Sequence, residues 1–294
     1  MPPTNTFAGA AIDRVANRRT DRAWFEEQLR SPAARAIVVS REGPFVDCST
    51  DPCRPALVAL AELREPREPV LLGIDAEGPL FAVDGEGDIP ALSGARTAMS
   101  LRDAGARVSQ EHGGLLAYAT AIVIWHRNHP FCARCGHGTD IAEAGHVRHC
   151  PNCGAVHHPR TDPVVIMLVA DGDRVLLGRN ARWPKGRYST LAGFVEPGES
   201  LEEAVAREVC EEAGVTVTDI RFRSSQPWPF PASLMVGFHS RYAGGEAEVR
   251  DAELEDVRWF TRDEIAAAIR GQTDIHLPPP VAIARRLIDE WLEA

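Results

Sequence analysis

The sequence predicts an α+β protein. Its C-terminal half reads as a sandwich of sheet and helices, preceded by a zinc ribbon and an N-terminal α/β domain. Three observations carry that expectation. The apolar run PVVIMLVA (163–170) ends on a turn at Asp171-Gly172 and is answered by RVLLGR (174–179), a buried strand and its neighbour. A Gly-rich loop then opens a glutamate-rich helix near 200–214, and two further helical patterns close the chain at 262–270 and 280–293. Two Cys-x2-Cys pairs stand upstream. The expected boundaries are 1–127, 128–159 and 160–294.

The N-terminal part holds short strand signals at 36–40, 70–75 and 79–84, with Glu77-Gly78 turning between the last two. Helical patterns follow at 91–110 and 113–127, the second ending near Asn128 and Pro130. No catalytic constellation is legible here. An apolar content of 44% and a charged content of 25% fit an ordinary globular protein. A net charge of −10 excludes a general nucleic-acid clamp, although a local basic pocket remains open. The first residues lack the apolar core of a signal peptide, and the longest apolar run, 115–125, is about half a bilayer span. A soluble cytoplasmic protein is expected.

Seven cysteines, an odd number, do not look like a secreted disulfide framework. Cys48 and Cys53 share a Pro-rich loop and could approach one another, but a cytosolic poise keeps most such pairs reduced. Cys132-x2-Cys135 and Cys150-x2-Cys153 are different. Each turn points two thiolates at one centre, with Gly136 and Gly154 allowing the tight turn. Two such pairs make the closed S4 site that Zn2+ prefers, which is structural rather than catalytic. A redox pair would not need two copies. The histidines clustered at 126–158 are then surface groups or groups that support the ligands.

The segment GFVEPGESLEEAVAREVCEEAGV (193–215) is the decisive one. Ser200 and Glu203 make a capping box, and Gly214 is a natural helix terminator. Glu208, Glu211 and Glu212 are spaced i, i+3, i+4, so three carboxylates leave one face. Arg207 emerges beside them within reach of Glu199. Most Glu-rich helices are merely solvated faces. Here the crowding is repulsive unless a cation sits among the carboxylates, and hard divalent ions take such oxygens. Just upstream, Arg174, Arg179, Arg182, Lys185 and Arg187 form a basic stretch against Asp173, either ordinary surface charge or an attractor for a dianionic substrate.

Those residues resemble the complete signature of the Nudix hydrolases, G-x5-E-x7-R-E-U-x-E-E-x-G-U. The resemblance implies an α/β/α sandwich and Mg2+- or Mn2+-dependent hydrolysis of nucleoside diphosphates linked to another moiety. It implies Glu208, Glu211 and Glu212 as metal ligands, with Glu211 or Glu212 assisting the attacking water, and a structural role for Glu199 and Arg207.

Ten residues after the signature helix comes SQPWPFPAS (225–233), whose prolines forbid a helix interior or a central strand. A stiff segment carrying Trp228 and Phe230 suits stacking on flat heterocycles, although a Pro-rich turn with core aromatics reads the same way. The order zinc ribbon, signature, SQPWPFPAS resembles the NADH pyrophosphatase branch of the Nudix hydrolases, from about residue 100 onward. That resemblance implies substrate contacts from Gln226, Pro227, Trp228, Pro229, Phe230, Pro231, Ala232 and Ser233. It also implies a metal shell completed by the Ala192 carbonyl and Glu253, a substrate site lined by Ala284, and Phe194 as a stacking ring. His158 stands where the branch usually carries Tyr or Phe. Members are typically homodimers. The implied activity is hydrolysis of NADH or NAD+ to AMP and nicotinamide mononucleotide, with NAD caps on RNA 5′ ends as further substrates. The alternatives are a non-catalytic zinc-ribbon nucleic-acid module and a broader hydrolase of ADP-ribose or diadenosine polyphosphates.

Overall fold

A computed structural model describes residues 5–63, 67–85, 92 and 94–294. They divide into two compact units: 7–161 with 229–232, and 162–228 with 233–294, joined by Asn5 and Thr6. No helix among the described residues is long and apolar enough to cross a membrane.

In the N-terminal unit, helix α1 (Arg22–Arg30) precedes strands β1 (Arg35–Val39), β2 (Phe45–Asp47), β3 (Arg54–Pro55), β4 (Leu57–Ala59), β5 (Arg67–Asp75), β6 (Gly78–Asp84) and β7 (Arg96–Ala98). Helices α2 (Leu101–Gly105) and α3 (Gln110–Asn128) follow, then the ribbon strands β8 (Asp140–Ala142), β9 (Val147–His149) and β10 (Val156–His157). One sheet runs β4-β1-β6-β5, with β1 and β6 parallel. Ala36, Val38, Leu71, Phe81 and Val83 point from it into one core, against which Trp24, Phe25 and Leu29 of α1 pack. The pattern at 91–110 does not make one helix. Residues 91 and 93 lie outside the described residues, Gly94 sits at φ +78°, and Ser100 caps a new, short helix by accepting from Asp103 N–H. Helix α1 was not expected, because its few apolar side chains are scattered among charges. Cys48 and Cys53 are joined as a disulfide, against the expected pair of thiols.

The C-terminal unit is the sandwich. Strands β11 (Asp162–Asp171), β12 (Arg174–Asn180), β13 (Leu191–Phe194), β14 (Val215–Trp228), β15 (Ser233–Gly245) and β16 (Leu254–Thr261) alternate with α4 (Leu201–Ala213) and precede α5 (Arg262–Ile269) and α6 (Ile283–Glu293). The sheet order is β14-β15-β11-β12-β16, with β13 paired to β11. The continuous apolar run of β11 is explained by its two covered faces. Val165, Met167 and Val169 meet Val205, Val209 and Ala213 of α4 on one side. Ile166 and Leu168 meet Ile283, Leu287 and Trp291 of α6 on the other. The proline stretch enters as the end of edge strand β14 and turns at 229–232 into β15, with Trp228 opposite Ser233. Pro227 is tolerated because an edge strand has one unpaired side.

Candidate active site and zinc ribbon

The glutamate face is built by its helix. The Ser200 side chain accepts from Glu203 N–H while the Glu203 carboxylate takes the Ser200 N–H, and Gly214 ends the helix at φ +71°. Burying Val205 and Val209 beneath α4 fixes where the carboxylates emerge. Arg207 organises them. It donates to both oxygens of Glu199, to Glu208 Oε1 at 2.8 Å, to Glu211 Oε2 at 2.9 Å and to the Phe194 carbonyl at 2.8 Å. The guanidinium holds Glu199 down at about 2, and in return its own pKa is raised.

Glu212 is the exception on this face. It is only 6% exposed, and its Oε2 is buried without a hydrogen-bond partner. Burial pushes its pKa up to about 8, with the charges of Glu208, Asp251 and Glu253 adding to the shift. The Ala192 N–H, from β13, works against that rise. Burial also raises Glu208. Gly193 follows Ala192, and a β-carbon there would lie 1.9 Å from the Glu208 carboxyl carbon, so only glycine leaves room for that side chain. Asp251 is the one charge at this site that the sequence reading missed. It belongs to the loop that bonds back to the end of α4, where Arg250 N–H meets the Glu212 carbonyl and Glu248 N–H meets that of Ala213. The acidic run RDAELED (250–256) was the signal for it.

These groups fit a hard divalent cation. An orphaned buried carboxylate oxygen beside two further carboxylates is a donor set for Mg2+ or Mn2+. In the structure Glu208 and Glu211 turn onto Arg207, which supplies the positive charge. Among the described residues, only the cysteine cluster brings three or more such ligand atoms within 4.8 Å of one another.

The other expected contacts are spread more widely. Phe194 is 59% exposed, and Glu253 is exposed in the bend just before β16. Gln226 is 1% exposed and fully engaged: Nε2 donates to the carbonyls of Thr6 and Val281, and Oε1 accepts from Ile283 N–H at the start of α6. Its amide thus braces the chain, and burial rather than exposure decides its place. Ala284 lies in the core beside Leu287. Trp228 is half-buried, Pro229 buried and Pro231 exposed. Phe230 belongs to the N-terminal unit, edge-on to Phe7 with centroids 6.1 Å apart and with Arg102 over its ring. His158 is exposed in that unit. The basic stretch is partly neutralised. Arg174 pairs with Asp171, and Arg179 is buried against Glu255, leaving Arg182, Lys185 and Arg187.

The ribbon repeats one device twice. Gly136 N–H returns to the Cys132 carbonyl and Gly154 N–H to that of Cys150, both glycines at φ +72°. Cys132 and Cys153 Sγ are 3.7 Å apart, and Cys135 and Cys150 Sγ 3.5 Å. A ZnS4 tetrahedron with bonds of about 2.3 Å has edges of about 3.8 Å, close to these two separations, and all four thiols lie within 4.8 Å of one another. His157 Nε2 lies 3.3 Å from Cys132 Sγ. Behind the cluster, Arg148 donates to the Thr139 carbonyl and to His126 Nδ1, whose Nε2 bonds the Gly145 carbonyl.

Comparison with known proteins places this geometry. Residues 159–278 match the NUDIX domain, 127–157 the NADH pyrophosphatase zinc ribbon domain, and 33–125 the NADH pyrophosphatase-like rudimentary NUDIX domain. The chain therefore carries a NUDIX domain at residues 159–278. The Nudix domain therefore contains the glutamate face, and the four thiols belong to the ribbon that matches a zinc-binding model. NAD-capped RNA hydrolase NUDT12 of Macaca fascicularis is 44% identical over 198 residues, 63% of this chain and 43% of that protein. NAD-capped RNA hydrolase NudC of Stutzerimonas stutzeri is 48% identical over 178 residues, 60% of this chain and 61% of that protein. The matched part thus spans less than two thirds of either relative. A solved NUDIX hydrolase from Nitrosomonas europaea is 25% identical over 50% of this chain and 96% of its own, with a TM-score of 0.41.

Proposed function

We propose that this Nudix hydrolase cleaves the pyrophosphate of NADH or NAD+ to AMP and nicotinamide mononucleotide, and removes NAD caps from RNA 5′ ends. The observation that carries the reading is the buried Glu212 carboxyl, with Oε2 left without a partner, beside Glu208 within an intact signature helix. Glu208, Glu211, Glu212, Glu253 and the Ala192 carbonyl are the groups that would hold Mg2+ or Mn2+. Such an ion, when bound, neutralises pyrophosphate charge and lowers the pKa of water. The protein's own part is to supply a proton acceptor and a fixed frame. The attacking water gives its proton to a carboxylate oxygen of Glu211 or Glu212. A new P–O bond forms as the anhydride P–O bond breaks, and the other half leaves as a monophosphate. Glu212 suits this site because its Oε2 is buried without a hydrogen-bond partner, open to an ion or a proton. Arg207 keeps Glu199, Glu208 and the Phe194 backbone in register. Trp228 and Phe194 are the rings we assign to the substrate's heterocycles. In this reading the enzyme works in the cytoplasm as a homodimer.

The test is a product assay on NADH, NAD+, ADP-ribose, diadenosine polyphosphates and NAD-capped RNA at matched concentrations. AMP and nicotinamide mononucleotide from NADH and NAD+, with capped RNA converted to 5′-monophosphate RNA, are expected. Equal turnover of ADP-ribose and the polyphosphates would replace this reading with the broader hydrolase. No turnover of any substrate would overturn it.

A further inference from the structure

The loop between β12 and β13 stands beside the carboxylate site and carries three cations that no carboxylate of the described residues neutralises. Its position is fixed by β12 pairing with β16, where Asn180 opposes Leu254. The next residue, Ala181, donates its N–H to the carbonyl of Glu253 at 3.4 Å. Arg182 therefore follows directly on a backbone contact to one of the proposed metal-holding residues. No carboxylate of the described residues pairs with Arg182, Lys185 or Arg187.

The loop is also built rather than loose. Asn180 Oδ1 accepts from Arg182 N–H at 2.9 Å, closing an Asx turn. Arg179, only 8% exposed, donates from beneath to the Trp183 carbonyl at 3.0 Å. Arg187 lies over the Trp183 ring, 5.2 Å from its centroid. Gly186 passes so close to Asp274 that a β-carbon would fall 2.0 Å from that carbonyl, and His276 N–H bonds the Gly186 carbonyl at 2.7 Å. A chain of net charge −10 thus holds three unpaired cations on a braced loop at the edge of an acidic site. Braced cations bind an anion with less loss of side-chain and loop freedom than mobile ones.

We infer that Arg182 and Lys185 on this loop bind the phosphodiester backbone of the RNA that continues beyond the NAD cap, an inference that rests on the proposed function above. Free NADH has no phosphate beyond its pyrophosphate, so the loop gives capped RNA an advantage that the free dinucleotide lacks. Backbone phosphates are read without sequence preference, and the contact weakens as salt displaces it.

The test compares wild type with Arg182→Ala/Lys185→Ala. kcat/KM for NAD-capped RNA is expected to fall by about tenfold or more, with the salt slope of log kcat/KM on that substrate shallower by about 1.4 for two lost phosphate contacts. NADH should change far less. In parallel, anisotropy of 3′-labelled NAD-capped RNA is measured in a Glu212→Gln background, which reads binding without turnover. Unchanged RNA affinity and salt slope would overturn the assignment, and so would an equal loss on NADH. If wild type hydrolyses none of these substrates but RNA binding still depends on the two cations, the proposed function fails and the loop assignment stands.

Discussion

The carboxyl carbon of Glu208 sits 1.9 Å from where a β-carbon on Gly193 would be. The backbone of strand β13 thus touches the carboxyl end of Glu208 at the point where the chemistry is expected. Gly193→Ala should displace Glu208 and lower kcat by about a hundredfold or more, as misplacement by about 1 Å does. Its effect on stability should stay within the roughly 1–3 kcal/mol of ordinary overpacking. Near-normal turnover in a folded Ala variant would show that Glu208 need not lie where it does.

Glu212→Gln should lower kcat by about two to four orders of magnitude, as loss of a ligand or base would. The amide is neutral and of the same shape, so the fold should persist in a melting curve. Wild-type turnover with Mg2+ would exclude the proposed site.

Purified protein should carry about one Zn2+ per chain. Cys132→Ser should lose the metal and lower the melting temperature, since Arg148 and His126 tie the ribbon to α3 within one unit. Elemental analysis with no zinc, or a fully stable metal-free variant, would contradict this.

Burial holds both His126 and His146 at a pKa of about 4 in the fold. A proton on His126 Nδ1 would face the Arg148 guanidinium, which now donates to it. The folded state therefore binds fewer protons than the unfolded chain between about pH 4 and 6.5. Stability is full above that window and falls as the pH drops through it, with unfolding taking up about two protons from this pair. His126→Gln should remove about one of them. Melting curves at several pH values with zinc held in excess will show it; identical acid slopes would refute the assignment.

Trp228 and Phe230 should behave differently, although they are two residues apart. Phe230 packs on Phe7, so Phe230→Ala should lower the melting temperature and affect all substrates alike. Trp228→Ala should cost about 1–3 kcal/mol in kcat/KM for dinucleotides, the size of a base–aromatic contact, with less effect on ADP-ribose. An unchanged NADH to ADP-ribose ratio in a destabilised Trp228 variant would mean that this ring is packing too.

What the sequence revealed here was local. The capping box, the i, i+3, i+4 carboxylates and the paired Cys-x2-Cys turns are all short-range patterns. The two-sided burial of β11 also showed in its unbroken apolar run. Contacts distant in sequence stayed hidden. Gln226 was expected only as a substrate contact, and its bonds to Thr6 and Ile283, 220 and 57 residues away, left no local signal. Asp251 reaches Glu212 only because a loop folds back onto the end of α4. The pattern at 91–110 failed because Ser100 and Gly94, both turn-forming residues, outweighed its apolar spacing.

That Gln226 amide also sets an order of assembly. Thr6 leaves the ribosome early, yet the side chain that binds its carbonyl is made 220 residues later, and the α6 residues that share that amide come later still. At about 5–20 residues per second, the interval lasts on the order of ten seconds or more. Residues 7–161 have their own core and can fold within it, while Asn5 and Thr6 must wait. The C-terminal unit therefore closes on Thr6 only once Gln226 and Ile283 have both been made, so this early residue enters its last folding step rather than its first.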